Sequence, residues 1–224
     1  MTAAIIMAGG KGLRLRPLTK TTPKPMLPVN GRPMLEWIVK RFVDQGITEI
    51  VISINYLGGQ IENHFGNGTK FGADITYLRE SSPLGTAGAL SLLAEPTEPF
   101  ITINGDILTS VNFNDMLRYH LTNEADITMG ATIHSVEIPF GVLKTCDYTL
   151  SSIREKPIYN FPISAGINII SPAMLKQLSK LGVVQMPEFI ESVMANGGKV
   201  VAFPISGEWA DVGCPSSYEM ANAE

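Results

Sequence analysis

Apolar residues fall into short runs along this chain, and the runs alternate with helix-spaced stretches. Ala3-Ala4-Ile5-Ile6-Met7 is long enough for one buried strand. After Arg32-Pro33, Leu35, Ile38, Val39 and Phe42 recur at helical spacing as far as Gln45, and Gly46 stops the helix. Residues 49–54 predict a second strand, 59–65 a short helix and 75–80 a third strand. Residues 85–93 predict a helix with Thr86 as its candidate cap, and 100–104 a strand ending in Gly105-Asp106. Strand and helix in alternation predict a parallel sheet wrapped on both faces.

The second half is more mixed. Residues 113–121 predict a helix and 126–132 a strand. Residues 141–145 and 150–155 alternate enough for a hairpin around Asp147. Residues 165–170 form another strand, and Ser171-Pro172 leads into a helix. Residues 186–196 are an amphipathic helix stopped by Gly197-Gly198, followed by strands at 200–205 and 208–212 and a last helix at 215–223.

Composition narrows the class. The chain has 224 residues, of which 45% are hydrophobic and 17% charged, as in a globular protein. No stretch of linker composition divides the halves, so residues 1–224 are expected to form one domain. Net charge is -4 and there is no basic tract, which argues against nucleic acid as a partner. No apolar run reaches the length of a membrane span, and because Met1 leads within three residues into a strand no signal peptide is expected. Cys146 and Cys214 are far apart and fit no metal spacing, so two reduced thiols and a cytoplasmic location are expected.

An acidic chain that binds a polyanion must gather its cations locally. Here no acidic residue lies between Met1 and Met34, and Lys11, Arg14, Arg16 and Lys24 do. They follow the first strand within Ala8-Gly9-Gly10-Lys11-Gly12-Leu13-Arg14-Leu15-Arg16-Pro17-Leu18-Thr19, then Pro23-Lys24-Pro25-Met26-Leu27-Pro28. Glycines let backbone N–H groups approach an anion, and the prolines stiffen the backbone around Lys24. The string contains neither a P-loop nor the third glycine of the dinucleotide fingerprint. A Gly-Gly after a strand, standing alone, is equally an ordinary tight turn.

As a whole the string resembles the signature of the sugar-1-phosphate nucleotidyltransferases, Gly-Gly-x-Gly-Thr-Arg-Leu-x-Pro-Leu-Thr followed by Pro-Lys-Pro-Met-Leu-Pro. It departs at Leu13, where the family carries Thr. The similarity runs from Ala4 to about Ala221. It looks closest to the guanylyltransferases of mannose-, heptose- or glucosamine-type sugars and to the short uridylyltransferases of cell-wall recycling. The fold it implies is a Rossmann-like α/β/α three-layer sandwich with a mixed, mostly parallel sheet. No β-helix or acyltransferase segment follows, so one activity is expected.

Strand ends are where open α/β sheets bind ligands, which places the loop, the 80–88 turn and Gly105-Asp106 along one rim. Asp106 alone is either a turn residue or a metal carboxylate. The resemblance implies the second, with Asp211 of Trp209-Ala210-Asp211 as its partner on Mg²⁺. It also implies that Arg14, Lys24 and Asp106 are catalytic. Ala8, Gly9, Gly10, Gly12, Leu13, Arg14, Glu80, Pro83, Gly85 and Thr86 would then bind nucleotide, and Asn104, Gly141, Glu155, Lys156, Gly166 and Asn168 the sugar phosphate. Gly166 is equally a strand glycine packed on a neighbour, and Glu155-Lys156-Pro157 alone is ordinary surface.

Glu80 stands where uridylyl and thymidylyl members often carry Gln. An ionised carboxylate only accepts hydrogen bonds, and guanine offers adjacent N1–H and amino donors, which favours GTP. His64, His120 and His134 pair with nothing obvious and read as structural. The substrates implied are a nucleoside triphosphate and a sugar-1-phosphate, and a homo-oligomer is compatible with the chain. The sequence leaves open a uridylyl or thymidylyl specificity. It also leaves open a non-catalytic sugar-nucleotide module and a Rossmann-type oxidoreductase, the last opposed by the missing glycine.

Overall fold

The computed structural model describes residues 3–94, 96–178 and 182–223. The buried run after Ala3 forms β1 (Ala4–Met7). The loop that follows contains three short 3₁₀ turns, Leu13–Leu15, Leu18–Lys20 and Lys24–Met26, and ends in a minimal hairpin of β2 (Pro28–Val29) and β3 (Arg32–Pro33). Then come α1 (Met34–Val43), β4 (Glu49–Ile54), α2 (Gly58–Phe65), β5 (Asp74–Arg79), α3 (Gly85–Gly88), β6 (Phe100–Asn104), β7 (Ile107–Thr109) and α4 (Phe113–Thr122). The second half adds β8 (Ile127–Glu137), β9 (Val142–Cys146), β10 (Thr149–Arg154), β11 (Ile158–Ile170), α5 (Leu175–Leu178), α6 (Met186–Ala195), β12 (Val200–Pro204), β13 (Trp209–Asp211) and α7 (Pro215–Ala221).

The main sheet has seven strands in the order β12-β8-β11-β6-β1-β4-β5. β4, β1 and β6 run parallel, as do β4 with β5 and β12 with β8, while β11 is antiparallel to both its neighbours. One face carries α1, α2 and α4, whose Leu35, Phe42, Ile61 and Phe113 pack on Ile6, Ile52 and Ile103 of the sheet. The other carries α3, α5 and α6, with Leu178, Phe189 and Val193 packed around Ile5 and Phe100. Phe42 and Phe113 are fully buried with ring centroids 4.3 Å apart, and burying a side chain of this size contributes ~1.5–3 kcal/mol. The expected three-layer, mostly parallel architecture is the one observed. No described helix is long and apolar enough to cross a membrane.

Three features depart from the expected elements. β8 and β11 run beyond the sheet, to Glu137 and back to Ile158, and pair with each other as a two-stranded arm. The arm is open to solvent on both faces over much of its length, so its residues show no buried-exposed alternation. The hairpin expected around Asp147 does form, as β9 and β10 between the arm's strands, and these pair only with each other among the described residues. The predicted helix at 85–93 is α3 followed by a 3₁₀ turn at Ala89–Leu92, and Thr86 is not its cap. Leu84 holds the capping position without a side-chain bond, and the Thr86 hydroxyl accepts from the Met186 N–H at 2.8 Å, tying α3 to the start of α6. Third, β7 and β13 form a small antiparallel sheet beyond the end of β6.

Candidate active site

The loop after β1 folds back on itself. Ala8 N–H donates to the Ser53 carbonyl at 2.9 Å, continuing the ladder for one residue. Gly12 lies in the left-handed region at φ 58°, and a Cβ there would stand 2.9 Å from Thr19 Cγ2 and 3.0 Å from Lys24 Cβ. Thr19, fully buried, closes this fold by donating to the Gly12 carbonyl at 2.8 Å. The Tyr56 hydroxyl holds the outside, reaching the Thr19 and Lys20 carbonyls at 3.1 Å. Lys24 is thereby pressed beneath Gly12, and its Nζ donates to Asp106 Oδ2 as an ion pair. With side-chain exposures of 12% and 19%, neither partner is freely solvated, so the pair survives salt better than a surface one.

Asp211 reaches this place by backbone pairing. β13 lies antiparallel to β7 with Asp211 opposite Ile107, and Val212 N–H donates to the Asp106 carbonyl at 3.0 Å. A Cβ on Gly213 would be 2.7 Å from Asp211 Oδ1 and 2.9 Å from an Arg14 guanidinium nitrogen, so both charges flank that glycine. Partial loss of hydration raises the Asp211 carboxyl above the ordinary range. The Asp106 carboxylate raises it further, and Lys24 and Arg14 pull the other way. Two carboxylates that repel each other, with cations alongside, are a donor set suited to a hard divalent cation completed by phosphate oxygens.

A cavity of about 500 Å³ opens over this group. It is lined by Ala8, Gly9, Gly10, Gly12, Leu13 and Arg14 of the loop, by Glu80, Pro83, Gly85 and Thr86 of the turn, and by Lys24, Asn104 and Asp106. Glu80 faces this cavity in a fixed pose. Its Oε1 accepts from Ser53 Oγ at 2.8 Å and its Oε2 from Leu84 N–H at 3.0 Å. Each oxygen retains a lone pair for a further donor. Gly9 is needed beside it, because a Cβ there would stand 2.7 Å from Glu80 Oε1. Gln185, which sequence reasoning passed over, also lines the cavity, and its Oε1 lies 3.3 Å from Thr86 N and Oγ1. The signal available was the Gln185–Glu188 spacing, which forms a capping box at the start of α6.

The sugar-side candidates are dispersed. Gly166, in the left-handed region at φ 69°, sits at the bulge of β11, where a Cβ would be 2.8 Å from Asn104 Nδ2. Asn104 lines the cavity, so Gly166 adjoins it from behind. Asn168 is 3% exposed, outside the cavity lining, and donates from Nδ2 to Thr102 Oγ1 at 3.3 Å within the sheet. Gly141 and Glu155 face each other at the base of the hairpin, with Glu155 Oε2 3.1 Å from where a Gly141 Cβ would be. Lys156 follows in a left-handed conformation at φ 41°. None of these three lines the 500 Å³ cavity. Asp211 lines an adjoining cavity of about 820 Å³ with His134 and Trp209. His120, 2% exposed, holds Thr128 and Ser171 at 2.9 and 3.0 Å and is structural, as expected.

Comparison with known proteins identifies the family. A family model described as nucleotidyl transferase matches residues 3–224. The chain is 32% identical to mannose-1-phosphate guanyltransferase beta-A of Xenopus laevis over 96% of its own length and 62% of that protein's. It is 29% identical to the mannose-1-phosphate guanylyltransferase of Mycobacterium tuberculosis over 99% of its length and 64% of that protein's, so it spans somewhat under two thirds of these relatives. Among solved structures, a candidate glucose-1-phosphate thymidylyltransferase from Bacillus anthracis, in complex with a sucrose, superimposes with a TM-score of 0.82 at 27% identity, covering 100% of this chain and 94% of that one. With its signature loop, its rim of charges and a match over nearly its whole length, the chain belongs to the nucleotidyl transferase family.

Proposed function

We propose that residues 1–224 act as one catalytic domain that transfers GMP from GTP to a sugar-1-phosphate, mannose-1-phosphate foremost, in the cytoplasm and with Mg²⁺. The observation that carries this reading is the convergence of Arg14, Lys24, Asp106 and Asp211 at one end of β1 and β6. Two polyanions repel, and their meeting requires charge gathered where they react. Lys24 neutralises the reacting phosphates and Arg14 the triphosphate. Lys156 is assigned to the sugar phosphate, brought in by the hairpin base. Asp106 and Asp211 would hold Mg²⁺, which supplies charge neutralisation on the triphosphate. Glu80 accepts from the N1–H and amino group of guanine. The names of the guanylyltransferase relatives support the base and the sugar.

In the reaction an anionic oxygen of the sugar-1-phosphate attacks the α-phosphorus of GTP in line. A phosphorus–oxygen bond forms, the bond to the β-phosphate bridging oxygen breaks, and pyrophosphate leaves with the electron pair. The nucleophile is already an anion, so no general base is required, and positioning and electrostatics supply the acceleration. The test is pyrophosphate release with GTP, UTP, dTTP or ATP, each paired with a panel of sugar-1-phosphates. Release that is fastest with GTP and mannose-1-phosphate is expected. Release fastest with UTP or dTTP would overturn the base assignment, and no release with any pair would reduce the chain to a binding module.

A further inference from the structure

The loop that carries Arg14 and Lys24 is braced from outside the cavity. Residues 12–23 contribute no strand, and their own backbone bonds close only short 3₁₀ turns, from Leu15 N–H to the Gly12 carbonyl and from Lys20 N–H to the Pro17 carbonyl, both at 3.0 Å. Leu15 anchors their inner side, buried with Leu27, Val29 and Val212. On the outer side, among the described residues, the hydrogen bonds to the rest of the chain come from the segment that joins β4 to α2 and from the first turn of α2. The Tyr56 hydroxyl lies 3.1 Å from the Thr19 and Lys20 carbonyl oxygens and donates between them. Gln60 Nε2 donates to the Thr21 carbonyl at 2.8 Å. Three successive carbonyls are thus held just before Pro23-Lys24-Pro25.

Local structure aims Tyr56 at this loop. β4 fixes its place, because Ser53 lies opposite Met7 and the Ser53 carbonyl also receives Ala8 N–H. Leu57 then adopts φ 54°, the left-handed region where a residue other than glycine is uncommon, and the chain turns sharply into α2. Tyr56 is left half-buried against the outside of the loop and does not line the cavity. Whatever it contributes to the reaction therefore passes through the loop. The path is short. Tyr56 holds the Thr19 carbonyl, the Thr19 hydroxyl holds the Gly12 carbonyl at 2.8 Å, and Gly12 lies so close to Lys24 that a Cβ on it would be 3.0 Å from Lys24 Cβ.

We propose that Tyr56 is a positioning residue for Lys24. This rests on the reading that Lys24 neutralises the reacting phosphates. A cation lowers the barrier most when it stands ready at the place where charge develops, and a small displacement forfeits much of the gain. Tyr56 keeps the outer wall of the loop closed, so that Gly12, Thr19 and Lys24 stay packed and the ammonium group has one place to stand. A purely structural tyrosine provides the contrast. The Tyr77 hydroxyl makes the same kind of bond, to the Gly66 carbonyl at 2.7 Å, at the other end of α2.

The experiment measures pyrophosphate release by Tyr56→Phe, Lys24→Ala and the double variant, with Tyr77→Phe as control, and hydrogen exchange of residues 12–24 without substrate. Tyr56→Phe should lower kcat by about 10-fold and leave the KM for GTP and for sugar-1-phosphate within about 2-fold. In the Lys24→Ala background it should cost nothing further, because the group it positions is gone. Tyr77→Phe should keep kcat within about 2-fold of wild type. Amides of residues 12–24 should exchange about 10-fold faster in Tyr56→Phe than in wild type. A kcat near wild type in Tyr56→Phe, a loss that persists in full beside Lys24→Ala, an equal loss in Tyr77→Phe, or unchanged exchange of the loop overturns the inference alone. Near-normal turnover in Lys24→Ala, or no release by the wild-type chain, overturns the functional reading and this inference with it.

Discussion

Around the loop after β1, three of the proposed functional side chains are placed by a neighbour. Lys24 is gripped by Asp106, Glu80 by Ser53 and Leu84, and Asp211 is delivered by a strand pair. The hairpin base that carries Gly141, Glu155 and Lys156 is exposed and supported chiefly by its own pairing. The residues proposed for the nucleotide are therefore placed by the core of the fold, and those proposed for the sugar phosphate sit on an arm that leaves it. On the proposed assignments, the phosphates would meet the fixed part of the site and the sugar the peripheral part.

The comparison breaks first at the charges. Lys24→Ala or Asp106→Ala should each lower kcat by about 10²–10³-fold, with circular dichroism and melting confirming a folded chain. Near-normal turnover in either would remove that residue from the chemistry. Next in size, Glu80→Gln should shift the ratio of kcat/KM for GTP over UTP by about 10–100-fold toward UTP, because an amide presents a donor where guanine also has one. An unchanged ratio would leave Glu80 only its bonds to Ser53 and Leu84. Smaller again, Lys156→Ala should raise the KM for sugar-1-phosphate by about 10-fold with the KM for GTP little altered. Equal effects on both would mean the arm is no separate sugar side.

The smallest effect concerns the ends of β8 and β11 remote from the arm, where His120 bonds Thr128 and Ser171. Burial lowers the His120 pKa below its ordinary value, against a weaker opposing pull from Asp126. The unfolded chain then takes up the proton more readily than the folded one. Stability from this group is complete above the unfolded value, about 6.5, and is lost as pH falls from there toward the lowered folded value. The urea midpoint should drop modestly between about pH 7 and pH 5.5, and less in His120→Gln, in titrations followed by tryptophan fluorescence. An identical drop in the variant would assign the acid sensitivity elsewhere.

The core was readable because its residues carry period. Ile50, Ile52 and Ile54 alternate against partners, and Leu35, Ile38 and Phe42 mark one helix face. The loop was readable because its residue types are unusual together. The arm was hidden for the opposite reason: Ile133 to Glu137 and Ile158 to Ser164 lie mostly in solvent, carry no period, and include Pro162, which argues against a strand yet pairs with Ile133. Thr86 misled because a hydroxyl at a helix start usually caps that helix, and here it serves the start of another, α6. Gln185 escaped notice because its place in the cavity depends on α6 docking against α3, a contact made by residues about a hundred positions apart.

The interlock of Gly9 with Glu80 bears on how such an enzyme changes its nucleotide. A Cβ on Gly9 would stand 2.7 Å from Glu80 Oε1, so the two positions fit only while residue 9 carries no side chain. Exchange between Glu and Gln keeps the outline, removes the negative charge and turns one acceptor oxygen into an N–H donor. On the proposed role of Glu80, a change of base preference would pass most readily through that one isosteric exchange, because a side chain added at Gly9 would meet the carboxylate.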